Sequence, residues 1–111
     1  MAMQEKKDIV YVVDDDDSVL RAIERLIRSA GMEAQTFASG GDFLKSKFRD
    51  QKACMVADVR MPGMSGLELY RKLVERGFKL PVIFITGFDD IKYSESGQNE
   101  RGLRLFPKAG W

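Results

Sequence analysis

The sequence has no histidine and a single cysteine among its 111 residues. Without histidine, no Ser-His-Asp or Cys-His catalytic arrangement forms within the chain. A His-ligated zinc site and a phosphohistidine carrier are excluded on the same ground. Cys54 on its own makes no internal disulfide and no CxxC redox or zinc site. It stands in an apolar run, so a buried, inert thiol is expected. An excess of either charge is also lacking. With 18 basic and 17 acidic side chains the formal net charge is +1, which gives no reason to expect direct nucleic-acid binding. No apolar run approaches the ~18 residues of a membrane span. Met1 to Asp8 is polar and charged, with no signal-peptide core. A cytoplasmic location and no membrane partner are therefore expected. Carboxylates, lysines and hydroxyls are left to do the chemistry.

An apolar share of 44% with 32% charged residues reads as an ordinary globular chain. The length supports one domain over residues 1–111, with a flexible start at 1–8. Ile9 to Val13 is a β-branched apolar run that stops at Asp14-Asp15-Asp16-Asp17, a buried strand leading into a polar loop. From Ser18 the period changes. Val19, Leu20, Ile23, Leu26, Ile27 and Ala30 recur at helical spacing, with Asp16 or Asp17 as the cap and Gly31 as the stop. Glu33 to Ala38 alternates as a second strand, and Ser39 to Asp42 turns into a short helix carrying Phe43, Leu44 and Phe48. Ala53 to Ala57 is a third strand, and it too ends on an aspartate, Asp58. Ser65 caps a helix whose buried face reads Leu67, Tyr70, Leu73 and Val74, ending at Gly77. Pro81 to Ile85 is a fourth strand that ends on Thr86-Gly87. Strand and helix alternate, and three of the strands are continuous apolar runs. That pattern predicts an α/β fold with a doubly wound parallel sheet covered on both faces.

The part from Phe88 onward, residues 88–111, is atypical. Between Asp89 and Gly102 the large apolar residues are Ile91 and Tyr93, and Gly97-Gln98-Asn99 sits in the middle. A fourth helix there is expected to be weak. Leu103 to Phe106 suits a fifth strand, and the residues after it are too few for a fifth helix.

The informative fact is where the strands stop. In an open parallel sheet, ligands bind outside the carboxyl ends of the strands at the switch point of the winding. If the first and third strands are neighbours there, three carboxylates meet in one cleft. Carboxylates that close repel one another, and a hard divalent cation with oxygen ligands resolves the conflict. Taken alone, four successive aspartates serve equally well as a solvated cap and loop. Asp58 is the sharper signal, because it follows a buried strand directly and precedes Met61-Pro62-Gly63-Met64.

These residues resemble the receiver domains of bacterial two-component response regulators, most nearly those attached to LuxR-type DNA-binding domains. The matching residues are Val12-Val13-Asp14-Asp15-Asp16, Asp58 through Leu69, Pro81 through Gly87, and Lys108. The resemblance implies a flavodoxin-like five-stranded sheet of order 2-1-3-4-5. It makes Asp58 the phosphoacceptor and Asp15, Asp14, Asp58 and the Arg60 backbone carbonyl the ligands of Mg²⁺, with Mn²⁺ or Ca²⁺ as substitutes. Thr86 and Lys108 would contact the phosphoryl group. Leu105 takes the switch position, which the family usually gives to an aromatic residue. Pro62 and Gly66 read as loop-shape residues, and Arg60 and Phe88 as groups that tune dephosphorylation. The implied partner is a sensor histidine kinase or a histidine phosphotransfer protein. Such a chain is not an enzyme in its own right, because it assists only its own phosphoryl transfer and autodephosphorylation.

The chain departs from the family pattern at Pro107-Lys108, where Lys-Pro is usual, and in its weak fourth and absent fifth helix. Sheet surface left uncovered by the latter invites self-association. A phosphorylation-independent interaction module is the competing function. A phosphoaspartate hydrolase is disfavoured, because Arg60 stands where such enzymes carry their second aspartate.

Overall fold

The computed structural model describes residues 7–86 and 105–107. Its elements are β1 (Ile9–Val13), α1 (Asp17–Ser29), β2 (Glu33–Phe37), α2 (Gly40–Lys45), β3 (Ala53–Asp58), α3 (Gly66–Glu75), β4 (Val82–Thr86) and β5 (Leu105–Pro107). The strands form one sheet of order β2-β1-β3-β4-β5. Every pairing is parallel. The expected doubly wound α/β fold is therefore observed. The weak fourth helix and the absent fifth helix concern segments outside the described residues.

β1 lies between β2 and β3, and all five of its residues are buried. Alternate side chains leave on opposite faces, so the strand serves two cores. Ile9, Tyr11 and Val13 join Phe43, Met55, Leu69, Leu73 and Phe84 beneath α2 and α3. Val10 and Val12 join Val19, Leu20, Ile23, Ile27 and Ile85 beneath α1. Aromatic rings fill much of the first layer. Tyr11 and Phe43 pack edge to face at 5.2 Å, and Phe43 stacks on Phe48 at 4.3 Å. Truncating Leu69, which has no exposed surface, would cost about 2–5 kcal/mol.

The helices are rotated slightly from their expected faces. On α1 the buried set is Val19, Leu20, Ile23 and Ile27, whereas Leu26 is 58% exposed and Ala30 lies beyond the helix, exposed. Leu26 sits one residue, or ~100°, from buried Ile27, past the edge of the stripe. On α3 the buried line is Gly66, Leu69 and Leu73, with Val74 exposed and Leu67 and Tyr70 half-buried. Phe48 lies outside α2, which ends at Lys45, yet packs on the same core. Cys54 is half-buried rather than buried. Burial, with Asp8 nearby, raises its thiol above the ordinary cysteine value, in keeping with low reactivity.

Caps fix where the helices start. The Asp16 carboxylate accepts the Ser18 backbone N–H at 2.9 Å. At α3 a reciprocal box forms, in which Ser65 Oγ accepts the Glu68 N–H and a Glu68 carboxylate oxygen accepts the Ser65 N–H, each at 3.1 Å. The Ser65 N–H, first among the causes, holds the Glu68 carboxyl below its ordinary value. A lowered folded value gives stability that is present above the unfolded value and lost as pH falls through the folded one. Urea unfolding of Glu68→Ala should therefore show a deficit at pH 7 that closes on acidification below the ordinary glutamate range. A gap that does not change with pH would contradict the box. Ser65→Ala should lose about 1 kcal/mol at neutral pH.

Candidate functional site

Asp14, Asp58 and Thr86 lie at the carboxyl edge of adjacent strands, and each is buried, at 0%, 3% and 1% exposure. The register explains their meeting. β1 and β3 align Val13 with Ala57, so the residues after them, Asp14 and Asp58, emerge side by side. β3 and β4 align Asp58 with Ile85, which brings Thr86 to the same rim. Carboxylate oxygens of Asp14, Asp15 and Asp58 all lie within 4.8 Å of one another, and Asp15 is exposed. Two buried carboxylates and one solvent-facing carboxylate form an oxygen-only donor set open to water on one side. That set suits a hard cation which keeps part of its hydration shell, so these residues fit Mg²⁺.

Backbone geometry holds each acid in place. The Asp14 N–H donates to the Phe37 carbonyl at 3.0 Å, and Asp14 Oδ1 accepts the Asp16 N–H at 2.9 Å. Asp58 is the last residue of β3, one position further into the strand than the apolar run alone indicates. Its Oδ1 accepts the Arg60 N–H at 3.2 Å. The next amide, Val59 N–H, donates to the Ile85 carbonyl at 2.9 Å, which extends the β3–β4 pairing past the acid.

The loop after Asp58 folds back under it. The Met64 N–H reaches the Pro62 carbonyl at 3.1 Å around Gly63, whose φ of +81° suits glycine. The Gly66 N–H then donates to the Val59 carbonyl at 3.0 Å. A Cβ on Gly66 would lie 2.3 Å from the Asp58 carbonyl oxygen. Close approach to the Asp58 backbone is thus the physical reason for glycine here, as its shape role implies. Pro62 itself is exposed. One contributor is not among the residues the sequence singles out. Gly40, buried at the start of α2, packs so closely on Met64 that a Cβ there would meet its sulfur at 2.9 Å. The Gly40-Gly41 pair is its only visible signal.

β5 adds its backbone next to β4, pairing Leu105 with Phe84 and Pro107 with Thr86. Phe88 and Lys108 lie outside the described residues.

With this geometry in hand, comparisons identify its relatives. The family model "Response regulator receiver domain" matches residues 10–108. The response regulator protein TodT of Pseudomonas putida is 43% identical over 106 residues, covering 96% of this chain and 47% of its own. The solved structure of the response regulator StyR superposes with a TM-score of 0.80 at 40% identity, covering 93% of this chain and 52% of that one. The BeF3-activated receiver domain of the nitrogen regulatory protein NtrC gives 0.68 at 35% identity, covering 95% and 85%. The chain spans about half the length of the curated relatives it matches.

The close approach at Gly66 is testable without reference to activity. Gly66→Ala should lower unfolding stability by about 1–3 kcal/mol, because the displaced atoms are backbone. Gly41→Ala, whose Cβ would meet only Ser39 Oγ at 3.9 Å, should stay within about 1 kcal/mol of wild type. Equal effects from the two would contradict the assignment.

Proposed function

The chain belongs to the receiver-domain family of response regulators, and from that membership we propose that it carries a two-component signal as a phosphoryl group on Asp58. Receiver domains take this group from sensor kinases. Here the donor is the phosphohistidine of a sensor histidine kinase or of a histidine phosphotransfer protein, in keeping with a chain that has no histidine. The observation that carries the reading is the convergence of Asp14, Asp15 and Asp58 within 4.8 Å, beside buried Thr86.

An Asp58 carboxylate oxygen attacks phosphorus, the phosphorus–nitrogen bond breaks, and its electron pair returns to the departing imidazole. Backbone pairing on both sides of Asp58 pre-orients the nucleophile, and positioning is most of what phosphoryl transfer needs. Asp15 would hold Mg²⁺ directly and Asp14 largely through water, with Asp58 and the Arg60 backbone carbonyl completing the protein ligands. When bound, Mg²⁺, or Mn²⁺ or Ca²⁺ in its place, neutralises charge on the equatorial phosphoryl oxygens. The Thr86 hydroxyl donates to one of those oxygens and Lys108 neutralises another. Their movement toward the new charge, with Leu105 in the switch position, gives the active conformation a larger population. Arg60 and Phe88 tune the dephosphorylation that ends the signal. Apart from its own transfer and autodephosphorylation the chain turns over no substrate. The working unit is one receiver domain across residues 1–111, acting in the cytoplasm through proteins rather than through nucleic acid.

Mass spectrometry tests this directly. With Mg²⁺ and a small acyl phosphate, wild type should gain one phosphoryl mass, and Asp58→Asn should not. No gain in wild type would instead favour a phosphorylation-independent interaction module. Phe88→Ala should speed decay of the phosphorylated form, and an unchanged decay would remove Phe88 from that tuning role. Self-association is proposed over the α1 side of β3 and β4, where Ile83 is 42% exposed beside half-buried Val56. A light-scattering mass equal to the monomer at high concentration would contradict it.

A further inference from the structure

A second concave site lies at the opposite end of the sheet from the carboxylates. It is a groove of about 410 Å³ over the first residues of β1 and β2, within the range of small-molecule pockets. α2 is short, and the chain beyond it, through Phe48 and Arg49, forms one wall. Ile9, Tyr11 and Phe48 give the groove an apolar floor, and Lys7, Lys47 and Arg49 stand along its rim. Ile9 is roughly 16 Å along β1 from Asp14, so the groove is separate from the acidic site.

Two hydrogen bonds gather the polar groups at one end. The Arg49 backbone N–H donates to the Tyr11 hydroxyl oxygen at 2.9 Å. The Arg49 guanidinium donates to the Lys7 carbonyl. The hydroxyl of Tyr11, a residue only 2% exposed, thus accepts a bond, while its own proton has no acceptor among the described residues. A buried hydroxyl proton lining a groove is a specific demand for an oxygen acceptor. Among the described residues that line the groove, Glu33 is the one carboxylate set against three cations, so their field favours an anion.

We propose that this groove binds a small amphipathic carboxylate. Its apolar body would lie on Ile9 and Phe48, and its oxygens would face the Tyr11 hydroxyl and the basic rim. A dianion would be opposed by Glu33, so one negative charge fits best.

The test is titration of the full chain with 4-phenylbutyrate, monitored by amide and side-chain NMR shifts. The matched neutral control is 4-phenylbutanol. Shifts are expected at Ile9, Tyr11 and Phe48 below about 10 mM ligand, with the alcohol about tenfold weaker. Lys47→Glu, on the exposed rim, should weaken the carboxylate about fivefold, and Glu33→Gln should strengthen it. Tyr11→Phe should also weaken it, and the rim variants keep the test valid if that core change disturbs folding. Absence of shifts at these residues would overturn the proposal. So would equal binding of the alcohol, or an acidic peptide that occupies the groove while the small carboxylate does not.

Discussion

Mutual repulsion of carboxylates held close together is the constraint on which the rest of this structure depends. Asp14 and Asp58 are almost wholly buried, and their side-chain oxygens lie within 4.8 Å of each other and of Asp15. An isolated charge in such a place is costly. The arrangement persists because it is set by backbone. Parallel pairing of β1 with β3 fixes the two acids as neighbours, and local amides cap each of them. The fold thus gathers negative charge at one rim of the sheet, in an oxygen donor set that could hold a divalent cation.

Two features make that rim stiff enough to hold the acids. One is the double core. β1 has side chains in both apolar layers, so a shift of Asp14 would disturb packing under α1 and under α3 together. The other is the return of the loop after Asp58. Gly66 abuts the Asp58 carbonyl, and the Ser65–Glu68 box fixes the start of α3 immediately above it. Helix start, loop and Asp58 are therefore packed against one another as one unit. Close-packed interiors transmit small displacements rather than absorbing them.

Much of this is legible in the residues alone. Apolar runs that stop on Asp14, Asp58 and Thr86 mark both the strands and the rim, because burial and charge change abruptly at those residues. The alternation of elements implies the parallel sheet. The adjacency of β1 and β3 is not in the local pattern, since those strands are not consecutive, and it enters through the family resemblance. Faces of the helices are blurred where apolar residues run past the buried stripe, so Val74 and Leu26 read as core while Leu69 does not. Cys54 reads as buried because its neighbours are apolar, yet it lies on the α1 side of β3, where cover is partial. A contact between a helix start and a loop, such as Gly40 with Met64, leaves no periodic trace, and Gly66 reads as a shape residue without showing which backbone it approaches.

Carboxylate crowding as the governing constraint is tested most directly by unfolding stability of wild type and Asp58→Asn, each with and without Mg²⁺. Crowding predicts that wild type gains stability from Mg²⁺. It also predicts that, without metal, the neutral Asp58→Asn variant is the more stable of the two and gains less when Mg²⁺ is added. A wild-type protein indifferent to Mg²⁺, together with a metal-free variant no more stable than wild type, would contradict it.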